Sequence, residues 1–479
     1  GRMGRIGEQI FRRKSTEVLL AELVPHGGGL RRILTTLDLT LLGIGAIIGA
    51  GIFVLTGVGA SYAGPGLVLS FILAGFACAM AALCYAEFAS MIPIAGSAYS
   101  YSYATMGELI AWIIGWDLVL EYAVASAAVA AGWSHYLTVI LGGVGLKLPA
   151  ALTHSPGTAP GAIINLPALL IVLLISAILY VGVQESARVN SIIVGIKLLA
   201  VLMVIVVGGF FVRPANWTPF LPFGWTGVLS GASYIFFAYI GFDAVSTAAE
   251  EAIDPQRTLP IGILTSLAVC TVLYIAVALV LTGMVPTKAI DIEAPLAAAF
   301  VARGLNFAAG VISIGAVAGL TSVLLVLLLG QSRIFYAISR DGLLPPVFSR
   351  VHPKFQTPSM PTVLTGLAVG LTAGLVPIKE IAELTNIGTL FAFVLVCLGV
   401  WILRNIEPEL ARPFRTPIVP IVPLLGAGSC ALMMFGLGEV TWLRFIIWMS
   451  AGLVIYFAYG RFHSKVAITA AAQARASAG

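Results

Sequence analysis

Apolar residues run along this chain in blocks of about 20, the length a helix needs to cross a hydrocarbon core roughly 30 Å thick. Twelve such blocks are centred near residues 48, 79, 124, 173, 200, 238, 270, 320, 368, 393, 427 and 451. The connections between them are short and polar or rich in glycine and proline. The pattern predicts an all-α integral membrane protein with twelve transmembrane helices. It divides into a basic N-terminal tail (1–35), a first five-helix set (36–215), a second five-helix set (216–405), two further helices (406–464) and an alanine-rich C-terminal tail (465–479). That last stretch has no bulky side chains to bury and is expected to fray.

Two blocks depart from a plain helical pattern. The first reads LLGIGAIIGAGIF from Leu41 to Phe53, with four glycines in nine residues. Each glycine costs about 1 kcal/mol against alanine within a helix, so the cluster marks a weak point at mid-span. The sixth block carries Gly241 and Asp243 at a similar depth. These blocks are five apart, and an odd offset turns the second set upside down relative to the first. Interrupted helices in corresponding positions of two inverted halves point to a transporter binding site at their breaks. Close helix packing through Gly45 and Gly49 is the alternative reading of the first block.

Composition agrees with a membrane location. Only 10% of the 479 residues are charged, against roughly 25% in soluble domains, too few to cover a water-facing surface. Disorder, nucleic-acid binding and a disulfide-stapled secreted scaffold are excluded. With the N-terminus inside, nineteen Lys and Arg lie in internal segments and six outside, Arg31 and Arg32 among the former. That asymmetry over short loops orients both termini to the cytoplasm. No cleavable signal peptide is expected, because the first thirty residues are polar and basic. The five cysteines all sit within apolar blocks, which argues against structural disulfides, a zinc site or a disulfide-linked partner subunit. The five histidines fall mostly near span ends or in loops, and no HExxH, GxSxG or Walker arrangement supports an enzyme or a primary pump. No cofactor and no metal are expected. A channel would want a polar stripe or ring of charge, and none is evident.

Three stretches carry a resemblance to a known family: RRILTTLDLTLLGIGAIIGAGIFVLTG (31–57), GFDAVSTAAEEAIDPQRTLP (241–260) and GQSRIFYAISRDGLLPPVFSRVHPKFQTP (330–358). They resemble the cationic amino acid transporter family of the amino acid–polyamine–organocation superfamily, in its twelve-span bacterial form. The resemblance implies an inverted five-plus-five bundle of the LeuT type, with helices 1 and 6 broken and two helices outside the repeat. It implies secondary transport of an L-amino acid across the plasma membrane by alternating access, driven by a proton gradient or by exchange. Lipids would surround it; sterols or a small accessory subunit are left open.

A zwitterion in a dry site needs partners for both charges. Where the first helix breaks, the new half-helix offers free amides and a positive dipole end, so Gly49, Ala50 and Gly51 are the candidate carboxylate site. The resemblance assigns the ammonium to the carbonyls of Ile47, Phe237 and Ile240, and makes Phe237 an aromatic gate; ordinary core packing is the other reading of that ring. Lys197 lies about 14 Å along its helix from Arg188. A lysine at that depth is a functional hypothesis in itself. The resemblance puts its ammonium where sodium-dependent relatives of the fold hold their ion, which implies proton-coupled, sodium-independent transport; a purely structural lysine is the alternative. Glu121 shares a helix face with Asp117, and either reads a cationic substrate or orders the helices. Asp243 would help organise the cytoplasmic path, and Leu320 would line the side-chain end of the pocket. Glu87, Glu250 and Glu251 are expected near the cytoplasmic face, with Arg257 and Arg333 as partners. The substrate class is cationic amino acids, small ones such as alanine, or both.

Overall fold

The computed structural model describes residues 2–15, 17–18, 34–92, 97–182, 187–243, 245–246, 252–355 and 357–478. Arg31, Arg32, Glu250 and Glu251 lie outside them, as do the side chains of Arg188 and Arg333. A short helix, α1 (Arg2–Ile10), precedes α2 (Thr36–Ile47), a π-helical turn (Gly51–Leu55), α3 (Thr56–Ala63) and α4 (Leu67–Met91). Then come α5 (Ser97–Thr105), α6 (Glu108–Gly143), α7 (Leu166–Val181), α8 (Ala187–Gly209) and α9 (Gly224–Ile235). The second half holds α10 (Pro255–Met284), α11 (Pro295–Ala302), α12 (Asn306–Arg340), α13 (Ser359–Leu375) and α14 (Ile378–Ile406). The chain ends in α15 (Ile421–Phe435), α16 (Glu439–Ile455) and α17 (Lys465–Ala478). Among the described residues there is no β-strand, only isolated bridges at Leu34–Ala252 and Thr153–Asn165.

Among the described residues, seven helical stretches are long and apolar enough to cross a membrane, and α7, α13 and α15 are shorter apolar helices. Their outward faces are greasy: Phe210 and Phe307 are 84% and 85% exposed, and Leu199 and Val206 stand out beside them. In water such a surface would aggregate; in lipid it matches the solvent, while the backbone polar groups are satisfied within helices. Polar side chains such as Ser126, Ser134, Ser233, Ser313 and Asn386 are instead buried within the bundle.

With no hydrophobic force to drive helices together in lipid, small residues and interhelical hydrogen bonds do the work. The long helices α6 and α12 show both. Gly330 of α12 faces the ring of Tyr122, and Gly132 of α6 faces Val54. Trp133 Nε1 donates to Thr321 Oγ1 at 2.9 Å, and Gln331 Nε2 donates to the Val119 carbonyl at 2.9 Å.

One end of the bundle is knotted by buried acids. Glu108 accepts from Tyr103 (3.1 Å), Tyr456 (2.9 Å), Ser464 (2.5 Å) and Gln9 (3.3 Å). Asp341 accepts from Tyr99 at 2.7 Å and pairs with Lys14 at 3.4 Å. The N- and C-terminal segments therefore meet at the same end. Glu87 corrects an expectation: it pairs with Arg404 and lies 3.7 Å from Arg412, rather than with Arg257. It also accepts from the Thr416 amide at 2.9 Å. Arg404 in the last turn of α14 and Arg412 in the segment after it both meet Glu87 of α4, a long-range closure that local charge spacing does not reveal. The alanine-rich tail also differs from expectation, being the helix α17. Alanine has the highest helix propensity, and Ser464 Oγ accepts from the Ala467 amide at 3.3 Å to start it.

Candidate functional site

The helix α2 opens with a capping box between Thr35 and Asp38 and stops after Ile47. Ile48 turns extended (φ −73°, ψ 106°), and a new helical run starts from Ala50, where the Phe53 amide reaches the Gly49 carbonyl at 3.2 Å. Four glycines offer little resistance to the break, and the β-branched isoleucines prefer extended backbone to helix. The second interruption has the same local form. α9 runs to Ile235, tightens into a 3₁₀ turn over Phe236–Tyr239, and ends where Ile240 turns extended (ψ 133°) and Gly241 adopts φ +121°. Both chains part at an Ile–Gly step.

The two breaks are in direct contact. A Cβ on Gly241 would lie 2.6 Å from the Ala46 carbonyl oxygen, and one on Gly51 would fall on the backbone of Ala238. Only glycine permits this approach. Beside the contact lies a cavity of about 140 Å³. Its peptide walls come from Gly45, Ala46, Ile47, Gly49, Ala50 and Gly51 on one break and from Phe237, Ile240 and Gly241 on the other. Glu121, Tyr122 and Ala125 of α6, Asp243, and Ser322, Val323, Val326 and Leu327 of α12 complete it.

Breaking two helices in a low-dielectric interior frees carbonyls that must find donors. Buried side chains supply them. Lys197 Nζ, 1% exposed, donates to the Gly45 carbonyl at 2.6 Å. Its stem packs where Gly319 of α12 has no side chain, with Cγ 2.8 Å from the vacant Cβ position. The Tyr274 hydroxyl lies 3.1 Å from the Ile47 carbonyl and 2.7 Å from that of Ala238, spanning the two breaks. Asn386 Nδ2 donates to the carbonyls of Ser233 and Tyr234 at 2.6 and 2.7 Å. The Tyr136 hydroxyl donates to the Phe53 carbonyl.

Of the residues singled out in the sequence, Ile47, Gly49, Ala50, Gly51, Glu121, Phe237, Ile240 and Asp243 border this one cavity. The carbonyl of Phe237 already accepts from the Ile240 amide at 3.2 Å, leaving one lone pair for a ligand. Lys197 sits behind the wall, against the end of α2. Leu320 does not border the cavity and is wholly buried in the core. It shares a face of α12 with Val323 and Leu327 but lies about 4.5 Å further along the axis than Val323, beyond the cavity. Asp117 is likewise absent from the wall. It is fully buried against Gly388, and among the described residues neither carboxyl oxygen has a hydrogen-bond partner. Sequence reasoning missed Tyr274 and Asn386, although each is a polar group within an apolar run and so needs a buried partner. The apolar wall on α12 carried no signal, since Val and Leu are ordinary there.

A model of the amino acid permease family matches residues 34–458. The chain belongs to this family, within the amino acid–polyamine–organocation superfamily, and is a multi-pass membrane transporter rather than an enzyme. It is 52% identical to a methylthioribose transporter of Bacillus subtilis, over 95% of this chain and 98% of the relative. It is 51% identical to the branched-chain amino acid permease BcaP of the same organism, over 95% and 99%. Cationic amino acid transporter 4 of Mus musculus is 32% identical over 91% and 88%.

Proposed function

We propose that the chain is a secondary transporter that carries an L-amino acid by alternating access, coupled to protons and independent of sodium. The observation that supports this most is the cavity walled by both helix breaks. At the start of the second half-helix, Gly49 to Gly51 offer amides with no intrahelical acceptor, aimed at a carboxylate. The carbonyls of Ile47, Phe237 and Ile240 offer acceptors for the ammonium. Two of these already hold one donor each, and a carbonyl has a second lone pair to give. Recognition thus falls on the groups common to all amino acids.

The side chain meets a mostly apolar wall, Ala125, Val323, Val326 and Leu327, which favours a small or branched neutral residue. This agrees with the branched-chain permease among the relatives. Glu121 on the same wall supports a second reading, in which a lysine- or arginine-like substrate reaches its carboxylate. Lys197 carries the coupling: its ammonium on the Gly45 carbonyl ties α8 to the end of α2, and loss of the proton would release that tie. Both termini face the cytoplasm on the charge asymmetry. Two crossings in Thr36–Met91, the broken α9 segment and the shorter helices support twelve spans.

Uptake by proteoliposomes of the purified protein, run against a competition panel of the common amino acids, tests this. Saturable uptake raised by an inward proton gradient and unaffected by sodium is expected, with valine and leucine competing better than arginine. A sodium requirement overturns the role of Lys197. If arginine competes best and Glu121→Gln selectively removes that competition, the cationic reading stands instead.

A further inference from the structure

Two of the histidines that the sequence places near span ends or in loops come together in the structure. His135, late in α6, and His154, in the loop after it, converge on Glu293, in the connection between α10 and α11. His135 Nδ1 is 3.1 Å from Glu293 Oε2, and His154 Nε2 is 3.3 Å from the same oxygen. The candidate ligand atoms of all three lie within 4.8 Å of one another. A tetrahedral zinc ion with bonds of about 2.0–2.1 Å separates its ligand atoms by about 3.3 Å. Two of the three edges therefore already have the length such an ion imposes.

The outer partners favour a ligand role. His154 Nδ1 lies 3.3 Å from the Ala150 carbonyl and 3.0 Å from Thr153 Oγ1. With its proton on Nδ1, given to that carbonyl, the lone pair of Nε2 points at Glu293. This is how histidine ligands of metals are commonly fixed. A neutral Nε2 facing a carboxylate sets two acceptors against each other, and a cation between them resolves the conflict. The loop holding Glu293 is stiffened by Asp291, whose Oδ1 accepts from the amides of Glu293 and Ala294 at 2.8 Å each. A cavity of about 520 Å³, also bordered by Ser155 and Asn165, adjoins the cluster and leaves room for a water as fourth ligand.

We propose that His135, His154 and Glu293 form a binding site for a divalent transition metal, zinc foremost, and that the ion latches this end of the transporter. Two histidines and a carboxylate with an open position are a known zinc donor set. The location gives the latch its effect. His135 is about 40 Å along α6 from the acid-knotted end at Glu108. The backbone of Asp291 and Ile292 lies directly on Gly57 of α3, the half-helix beyond the first break. An ion shared by α6, the loop after it and Glu293 fastens that loop over the half-helix, which alternating access requires to move.

The test uses the full-length, tag-free protein in detergent, titrated with Co²⁺. The wild type is expected to show the visible absorption bands of tetrahedral Co²⁺ at one equivalent, displaced by Zn²⁺. His154→Ala and the isosteric Glu293→Gln are expected to lose them while keeping the wild-type gel-filtration profile. No such bands in the wild type, or bands persisting in both variants, overturns the site. In proteoliposomes, Zn²⁺ is expected to inhibit wild-type uptake. His154→Ala should need at least roughly ten-fold more, since loss of an outer-shell partner alone costs 10–100-fold in metal affinity. Equal inhibition of both overturns the latch. The Co²⁺ spectrum reports the site whether or not an amino acid is carried.

Discussion

Replacing Gly241 by alanine adds a single methyl group where the two broken helices meet. The backbone there has φ +121°, a conformation that L side chains rarely adopt. Holding a non-glycine residue in such a region costs on the order of 1–3 kcal/mol. The methyl also lands 2.6 Å from the carbonyl oxygen and 2.8 Å from the carbonyl carbon of Ala46. These are backbone atoms at the end of α2 and cannot rotate aside, so overpacking adds about 1–3 kcal/mol more. Gly195, within α8, is the control: a Cβ there meets nothing within 4 Å. At that site glycine to alanine should stabilise by about 0.4–1 kcal/mol. The same chemical change thus carries opposite signs at two positions. Thermal unfolding of the purified variants in detergent, with amino acid binding measured on each, reads the difference. Gly241→Ala should melt well below the wild type and bind substrate weakly, and Gly195→Ala should melt at or above it with binding intact. If Gly241→Ala melts with the control and binds normally, the breaks do not touch as described and the reasoning fails.

Other perturbations are shorter to state. Lys197→Met keeps most of the volume and removes the donor to the Gly45 carbonyl, a charged hydrogen bond worth about 1.5–3 kcal/mol. Gradient-driven accumulation should fall much more than equilibrium binding of substrate; equal loss of both would make the lysine purely structural. Asp117→Asn removes an ionisable group from a fully buried position where neither carboxyl oxygen has a partner among the described residues. Because an unpaired buried charge is costly, the variant should melt no lower than the wild type and transport normally, whereas a large loss of stability would mean that the carboxylate is paired in the working protein.

What the sequence discloses and what it withholds divide along physical lines. Glycine clustering and a β-branched neighbour act locally, so the interruptions near Ile48 and Ile240 can be read from a dozen residues each. Lys197 is legible because a lysine so deep in an apolar run has few destinations. The wall of the cavity is not, because Leu320, Val323 and Leu327 occupy one helical face and only packing fixes which depth faces the void. Partners distant in sequence are hidden for the same reason. Glu87 finds Arg404 more than three hundred residues away, and Tyr274 finds Ile47 across 227. The alanine-rich tail misleads by a different route: poor burial suggests fraying, whereas high helix propensity and the Ser464 cap make α17 a helix.

The central claim is that peptide groups at the two breaks hold both charges of an amino acid. Calorimetric binding to the purified protein addresses it most directly, comparing one transported amino acid with its decarboxylated amine and with the matching acid that lacks the amino group. Each charge-assisted hydrogen bond contributes about 1.5–3 kcal/mol, so each truncated analogue is expected to bind at least roughly ten-fold more weakly than the parent. Either analogue binding as tightly as the intact zwitterion would contradict the account.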